Sequence, residues 1–307
     1  MRSGGVLHLT KHHGAGNDFL VVLDPDDARP LSAPEVRALC DRHRGIGADG
    51  VVRVVLDPVT PAGGSRALVM DLRNADGGVA EMSGNGIRCM VQAAVDAGLA
   101  SPGAVEVRTL GGPRPVTYRA GPGVGEGYAR VAMGPADLGP PMEVDVPGVR
   151  WARRVDMGNP HLVLAGGPAS DDTVRTVGPR LERSLAAGAN VEFVWSGPQS
   201  DELRMRVWER GVGETLACGT GACAAVAAAH AQGDVGAVVR VASAGGVLEV
   251  SIDDTGVWLA GPTQTVGAIT VDDEVLAGLV AGAPGAPGGD GAGTASGIRP
   301  AGVAARP

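Results

Sequence analysis

Two short stretches carry the residue types from which chemistry can be built: VAEMSGNGIRC at 79–89 and ETLACGTGAC at 214–223. In each, a side chain able to move a proton, Ser83 or Cys218, stands directly before a Gly-x-Gly turn that opens a helix-forming segment. The first N–H groups of a helix have no intrahelical partner and carry partial positive charge, and glycines let a ligand approach them closely. Such a terminus cradles a carboxylate. The same field draws a thiol pKa down from about 8.5 toward neutrality, which suits Cys218 to act as a base. Two such cradles facing each other would grip one α-carboxylate and set Ser83 and Cys218 on opposite faces of the α-carbon. That geometry removes a proton from one face and returns one to the other.

Competing uses of these residues are weaker. Neither copy completes the GxGxxG dinucleotide fingerprint or carries a P-loop Lys-Ser/Thr. Cys40, Cys89 and Cys223 read as small buried hydrophobes, the last two lying about a turn inside their helices. The four cysteines form no CxxC pair and no Cys/His ligand spacing, so free thiols and no metal are expected. Glu209-Arg210 follows a strand-like run and precedes GVGETLACGTG, which directs the pair toward a substrate.

The elements that must position these residues repeat. GAGNDFLVVLD (14–24) resembles DMGNPHLVLAG (156–166), aligning Gly16-Asn17 with Gly158-Asn159. Ser83-Gly84-Asn85-Gly86 then aligns with Cys218-Gly219-Thr220-Gly221. The interval from Asn to Ser or Cys is 66 residues in the first copy (17 to 83) and 59 in the second (159 to 218). Two similar halves, each with strands wrapped around one central helix, would meet at a cleft, a usual place for a small-molecule site. Short Val/Leu/Ile-rich runs between Gly, Pro and Asp, such as DFLVVLD, GVVRVVL, HLVLAGG and NVEFVWSG, predict many strands at hairpin spacing. Helices are predicted from Ser32, Asn85 and Thr220, the latter two stopping at Gly98 and Gly233. Residues 284–307, Gly/Pro/Ala-rich and without apolar periodicity, predict a disordered tail.

Composition bounds the partners. In 307 residues, 44% are hydrophobic, enough for a core, while aromatics reach only 3% and the net charge is −8. Few stacking platforms and a negative charge oppose nucleic-acid binding. The N-terminal stretch lacks a signal-peptide pattern and no run is long enough to span a membrane, so a cytoplasmic location is expected. A small-molecule amino-acid substrate is the expected partner, with room for a homodimer.

KHHGAGNDFLVV, RHRGIGADGVV, DLRNADGGVAEMSGNGIRC, MGNPHLV, GANVEF and VWERGVGETLACGTGACAA together resemble the diaminopimelate epimerase family over roughly 7–275. The resemblance implies an isomerase that needs neither pyridoxal phosphate nor any other cofactor or metal. It would convert LL-2,6-diaminopimelate to the meso form for lysine and peptidoglycan synthesis. It implies an α/β fold of two pseudo-symmetric halves, each a barrel-like sheet around a central helix. The halves would be 1–138 with about 261–275, and 139–260, with a boundary near Pro135–Asp145. By motif, Cys218 is one catalytic acid/base and Ser83 holds the place of the other, normally a cysteine. Asn17, Asn74, Asn159, Asn190, Glu209 and Arg210 match substrate-binding positions. Gly84, Asn85, Gly219 and Thr220 match the backbone cradle, and His161 and Glu209 lie where they could adjust the protonation of the bases. The serine leaves several chemistries open: a Ser/Cys pair, a replaced cysteine in an ordinary epimerase, another isomerase or one-base elimination on another amino acid, or a ligand-binding pseudoenzyme.

Overall fold

The computed structural model describes residues 5–59, 66–186 and 188–282, so the tail from 284 lies outside the described residues. The first half runs β1 (Val6–Gly14), β2 (Asn17–Leu23), α1 (Ala33–Cys40), β3 (Gly50–Leu56), β4 (Leu68–Asn74), β5 (Val79–Ala80), α2 (Gly84–Asp96), β6 (Gly103–Thr109), β7 (Gly112–Ala120) and β8 (Glu126–Gly134). The second begins with β9 (Asp137–Met142) and continues with β10 (Val149–Asp156), β11 (Pro160–Gly166), α3 (Asp171–Ser184), β12 (Asn190–Ser196), β13 (Glu202–Glu209), β14 (Gly213–Thr215), α4 (Gly219–Ala231), β15 (Val238–Ser243), β16 (Gly246–Asp253), β17 (Gly256–Asp272) and α5 (Asp273–Ala281).

The pairing order is the same in both halves. β1–β2 is antiparallel, β2–β3 parallel, β3–β4 antiparallel, β4–β6 parallel and β6–β7 antiparallel. β10–β11, β11–β12, β12–β13, β13–β15 and β15–β16 repeat that order of senses. The chain passes from one half to the other at β9 and again within β17. β9, following directly on β8, pairs with β10, whereas β17 pairs with β16 and β8 through its first part and with β1 through 264–272. One continuous sheet therefore curls into two barrel-like halves joined along β8 and β17, as the sequence repeat implied. Closing a sheet on itself removes the unpaired edges that otherwise invite aggregation.

A helix fills each half. α2 packs against β1, β2, β7, β8 and β17, and α4 against β10, β11, β12, β16 and β17. α4 is nearly all Ala, Gly and Cys and is buried from Gly219 to Ala229 save Thr220. A helix apolar all round belongs inside a core, and small side chains let the surrounding strands approach it. Its end is set by Gly233 at φ +78°, and that of α2 by Gly98 at φ +74°, the left-handed C-terminal positions expected of them. Outside the barrels, α1 and α5 cover one half, and α3 covers the other.

Several elements differ from expectation. α2 and α4 start earlier than Asn85 and Thr220, because Ser83 and Cys218 are themselves the N-caps. α3 and α5 were not foreseen, α3 because it buries only Val174, Gly178 and Leu181. β7 and β9 carry Pro113, Pro115, Pro140 and Pro141, which hide strand character, and β10 reads as charged.

The central contact of the fold is between helix starts. A Cβ on Gly84 would lie 2.5 Å from Leu259 Cδ2 and 3.6 Å from Gly219 Cα, and one on Gly219 would lie 2.9 Å from Leu259 Cδ2 and 3.4 Å from Gly84 Cα. Gly84→Ala is therefore expected to cost about 1–3 kcal/mol by overpacking, read as a lower denaturation midpoint. Gly167→Ala, whose added Cβ meets nothing within 4 Å, serves as the near-silent control.

Candidate active site

The capping geometry puts both reactive atoms at helix starts. Ser83 Oγ accepts from the Gly86 N–H at 3.0 Å, and Cys218 Sγ accepts from the Gly221 N–H at 3.4 Å. Because Gly84 and Gly219 abut, these caps look into one cavity of about 490 Å³. Asn17, Asn74, Ser83, Gly84, Asn85, Asn159, Asn190, Glu209, Arg210, Cys218, Gly219 and Thr220 all line it. Every residue singled out in the sequence thus meets here except His161, which stands one layer behind. That imidazole is 1% exposed, with Nδ1 2.6 Å from Glu192 Oε1 and Nε2 3.0 Å from Asn159 Oδ1.

The two caps have unlike surroundings, and the register shows how unlike. Phe19 is paired with Gly50 as His161 is with Asn190, and Val52 is paired with Leu72 as Glu192 is with Val207. Asn74 ends β4 as Glu209 ends β13. Phe19, Val52 and Asn74 on the Ser83 side therefore occupy the places of His161, Glu192 and Glu209 on the Cys218 side. A Cβ on Gly86 would meet Met70 Cε and Phe19 Cζ at 3.2 and 3.4 Å, whereas one on Gly221 would meet Glu192 Oε1 at 2.7 Å. Ser83 has an apolar wall behind it; Cys218 has two carboxylates and an imidazole.

Burial and the carboxylates set the electrostatics. Burial pushes the Cys218 thiol well above its ordinary value, and the negative charges of Glu209 and Glu192 push it further. Thr220 and the Gly221 N–H pull the other way but more weakly. The helix terminus alone was expected to lower this pKa; desolvation and two nearby anions outweigh it. Glu209 is likewise raised, first by burial and then by Glu192, while its hydrogen bond with Thr215 opposes the shift. The resting group is therefore a neutral thiol beside two carboxylates.

Farther along the cavity, Arg210 follows Glu209 at the β13–β14 turn. Its backbone N–H donates to Asn190 Oδ1 at 2.9 Å. Glu182 anchors that turn, accepting from Trp208 Nε1 at 2.8 Å and from the Gly211 N–H at 2.9 Å. Opposite, Asn17 Nδ2 donates to Asp49 Oδ2 at 2.6 Å, and Asn17 Oδ1 accepts from Asn85 Nδ2 at 3.0 Å. Sequence reasoning missed Glu192, Glu182 and Asp49. Glu192 had a signal, a lone carboxylate inside the apolar strand run NVEFVWS.

Two barrel-like halves joined in one sheet and opposing two helix starts define a class of fold that solved structures share at low sequence identity. A hydroxyproline epimerase from Agrobacterium vitis matches with a TM-score of 0.66 at 16% identity, over 89% of this chain and 94% of that one. A PhzF-family phenazine biosynthesis protein from Bacillus anthracis matches at 0.65 and 14%, over 87% and 99%. Sequence narrows the class. The family model described as diaminopimelate epimerase matches residues 9–138 and 153–266. The diaminopimelate epimerase of Mycolicibacterium paratuberculosis is 39% identical over 291 residues, covering 87% of this chain and 98% of its own. That of Thermobifida fusca is 40% identical over 271 residues, covering 85% and 96%. The chain belongs to the diaminopimelate epimerase family.

The carboxylates beside Cys218 are open to test. Only thiolate reacts with iodoacetamide, so alkylation of Cys218, followed by mass spectrometry, is expected to be slow at pH 7 and to accelerate above the ordinary thiol range. Glu209→Gln removes an anion that raises the thiol, lowers its pKa, and speeds alkylation several-fold at neutral pH, where the thiol is mostly protonated. An unchanged or slower rate would mean that the carboxylate does not set the thiol's charge.

Proposed function

We propose that this protein interconverts LL- and meso-2,6-diaminopimelate in the cytoplasm by proton transfer at one α-carbon, using Cys218 and Ser83 on opposite faces. One arrangement carries the proposal: two helix N-termini abutting at Gly84 and Gly219, each capped by a proton-bearing side chain that faces the same cavity. Family membership supplies the substrate. The α-carboxylate lies between the helix starts, where the N–H groups of Gly84, Asn85, Gly219 and Thr220 stabilise the charge that develops as the α-proton leaves. The distal end reaches Asn17, Asn190 and Arg210, whose guanidinium suits a carboxylate. The same proposal takes 1–138 with about 261–275 as one unit and 139–260 as the other.

In one direction the Cys218 thiol first passes its proton to Glu209 or, through Glu192, to the His161 pair. The thiolate then takes the α-proton, forming S–H as C–H breaks, and Ser83 returns a proton to the opposite face. The serine alkoxide so formed is quenched by solvent. In the other direction Ser83 must be the base, with no carboxylate or imidazole from its own half behind it. Both directions of inversion share one transition state, so the inequality cannot show in their ratio. It shows in exchange: Cys218 can remove and return a proton on its own face without completing inversion.

Incubating the protein with each stereoisomer in D2O tests this. Deuterium is expected to enter the isomer whose α-hydrogen faces Cys218 faster than inversion occurs, and to enter the other slowly. Cys218→Ala should abolish both processes, and Ser83→Cys should raise inversion in both directions by supplying a thiol in the same helix field. No exchange into either isomer at any enzyme concentration would rule out the proposal.

Arg210→Lys keeps the charge but loses the two-pronged geometry. A fall of roughly 10- to 100-fold in kcat/KM is expected, the size of a charge-assisted hydrogen bond. A silent change would place the distal end of the substrate elsewhere.

A further inference from the structure

Directly behind the Ser83 cradle lies a charge that none of these steps uses. Arg88, in the first turns of α2, is 0% exposed and is the largest fully buried side chain among the described residues. Its side chain folds back toward the helix start, donating from Nη1 to the Gly84 carbonyl at 2.8 Å and from Nη2 to Asn85 Oδ1 at 2.8 Å. Its Nε has no hydrogen-bond partner, and among the described residues no carboxylate forms an ion pair with it. Burial lowers its pKa to about 10, so it remains charged at neutral pH. The slot is shaped for it: a Cβ on Gly14 would lie 2.8 Å from Nη2, and one on Gly261 3.5 Å from Cζ. At the matching place of α4 stands Cys223, which is uncharged.

A buried cation without a counter-ion costs stability, so its presence beside an anion cradle points to a use. Its hydrogen bonds indicate which one. A guanidinium only donates, so Asn85 must turn its oxygen to Arg88 and its amide nitrogen away. That nitrogen donates to Asn17 Oδ1 at 3.0 Å and to the Ala217 carbonyl at 3.4 Å, the residue before Cys218. Asn17 must then turn its own nitrogen to Asp49, at 2.6 Å. The orientation of two cavity-lining amides is thus decided by a cation at one end of the chain and an anion at the other.

We infer that Arg88 is a positioning residue for the reaction: it locks the Asn85 and Asn17 amides, ties Asn85 to the Ala217 carbonyl of the other half, and backs the carboxylate cradle with uncompensated positive charge. This rests on the epimerase reading above. The charge favours the state in which negative charge has built up on the α-carboxylate, so its removal lowers kcat more than it raises KM.

The test compares Arg88→Met with Arg88→Lys in the full chain, after wild-type turnover of diaminopimelate has been measured; absent wild-type turnover would fault the epimerase reading and leave the stability arm standing. Arg88→Met fills the slot without charge. It is expected to lower kcat at least tenfold with a smaller change in KM, while Tm stays within about 4 °C of wild type or rises. Arg88→Lys, which keeps the charge, should recover at least threefold of that loss. A filler role predicts the reverse order, so methionine turning over as fast as lysine would overturn the inference. So would a methionine variant whose lost activity is matched by a Tm drop beyond that range. Asn85→Ala provides an independent arm, keeping the cation and removing the amide it holds; kcat within threefold of wild type there would also overturn it.

Discussion

The abutment of two helix starts is the constraint on which the rest of the molecule depends. Gly84 and Gly219 meet at van der Waals distance, and a Cβ on either would run into the buried Leu259 side chain, which would have to shift. From it follows the single cavity between the caps, because each helix start carries its cap on the side facing the other half. The doubled positive ends of α2 and α4 would repel one another if nothing lay between them, and an anion relieves that repulsion. The barrels serve this contact. Each wraps its helix, and the passage of the chain through β9 and β17 ties the two halves along the line where the helix starts meet.

Pseudo-symmetry of the backbone does not extend to the chemistry. Cys218 stands before Glu192, Glu209 and His161, while Ser83 has Phe19, Val52 and Asn74 in the equivalent places. The charges run opposite to what a naive helix-end argument gives. Burial and two carboxylates hold the thiol protonated, and a buried guanidinium lies on the side of the hydroxyl. Negative potential raises the pKa of the more acidic group, and positive potential stabilises an anion on the side of the less acidic one.

Polar networks rather than apolar packing set the details of the cleft. Asn85 reaches from α2 to Asn17 and to the carbonyl before Cys218, and Glu182 reaches from α3 to the turn bearing Arg210. Such bonds are worth little each in water but are costly to leave unmade when buried, so they fix orientation more than they add stability.

Much of this was legible in the sequence because it is local. Gly-x-Gly after Ser83 and Cys218 specifies a capped helix start, the Asn-containing repeats specify paired strands, and Gly98 and Gly233 specify helix ends, since each depends on the backbone freedom of a few neighbouring residues. Proline-bearing β7 and β9, charged β10 and the sparsely buried α3 were hidden because their partners, not their own patterns, hold them. Tertiary structure alone decided which charges surround which cap. Glu192, thirty-one residues from His161, reaches it only because β11 and β12 lie parallel in register. Arg88 looks like an ordinary helix residue until the strands close over it. A pKa or an amide orientation depends on groups brought together from distant parts of the chain, and desolvation does not exist until the chain has folded.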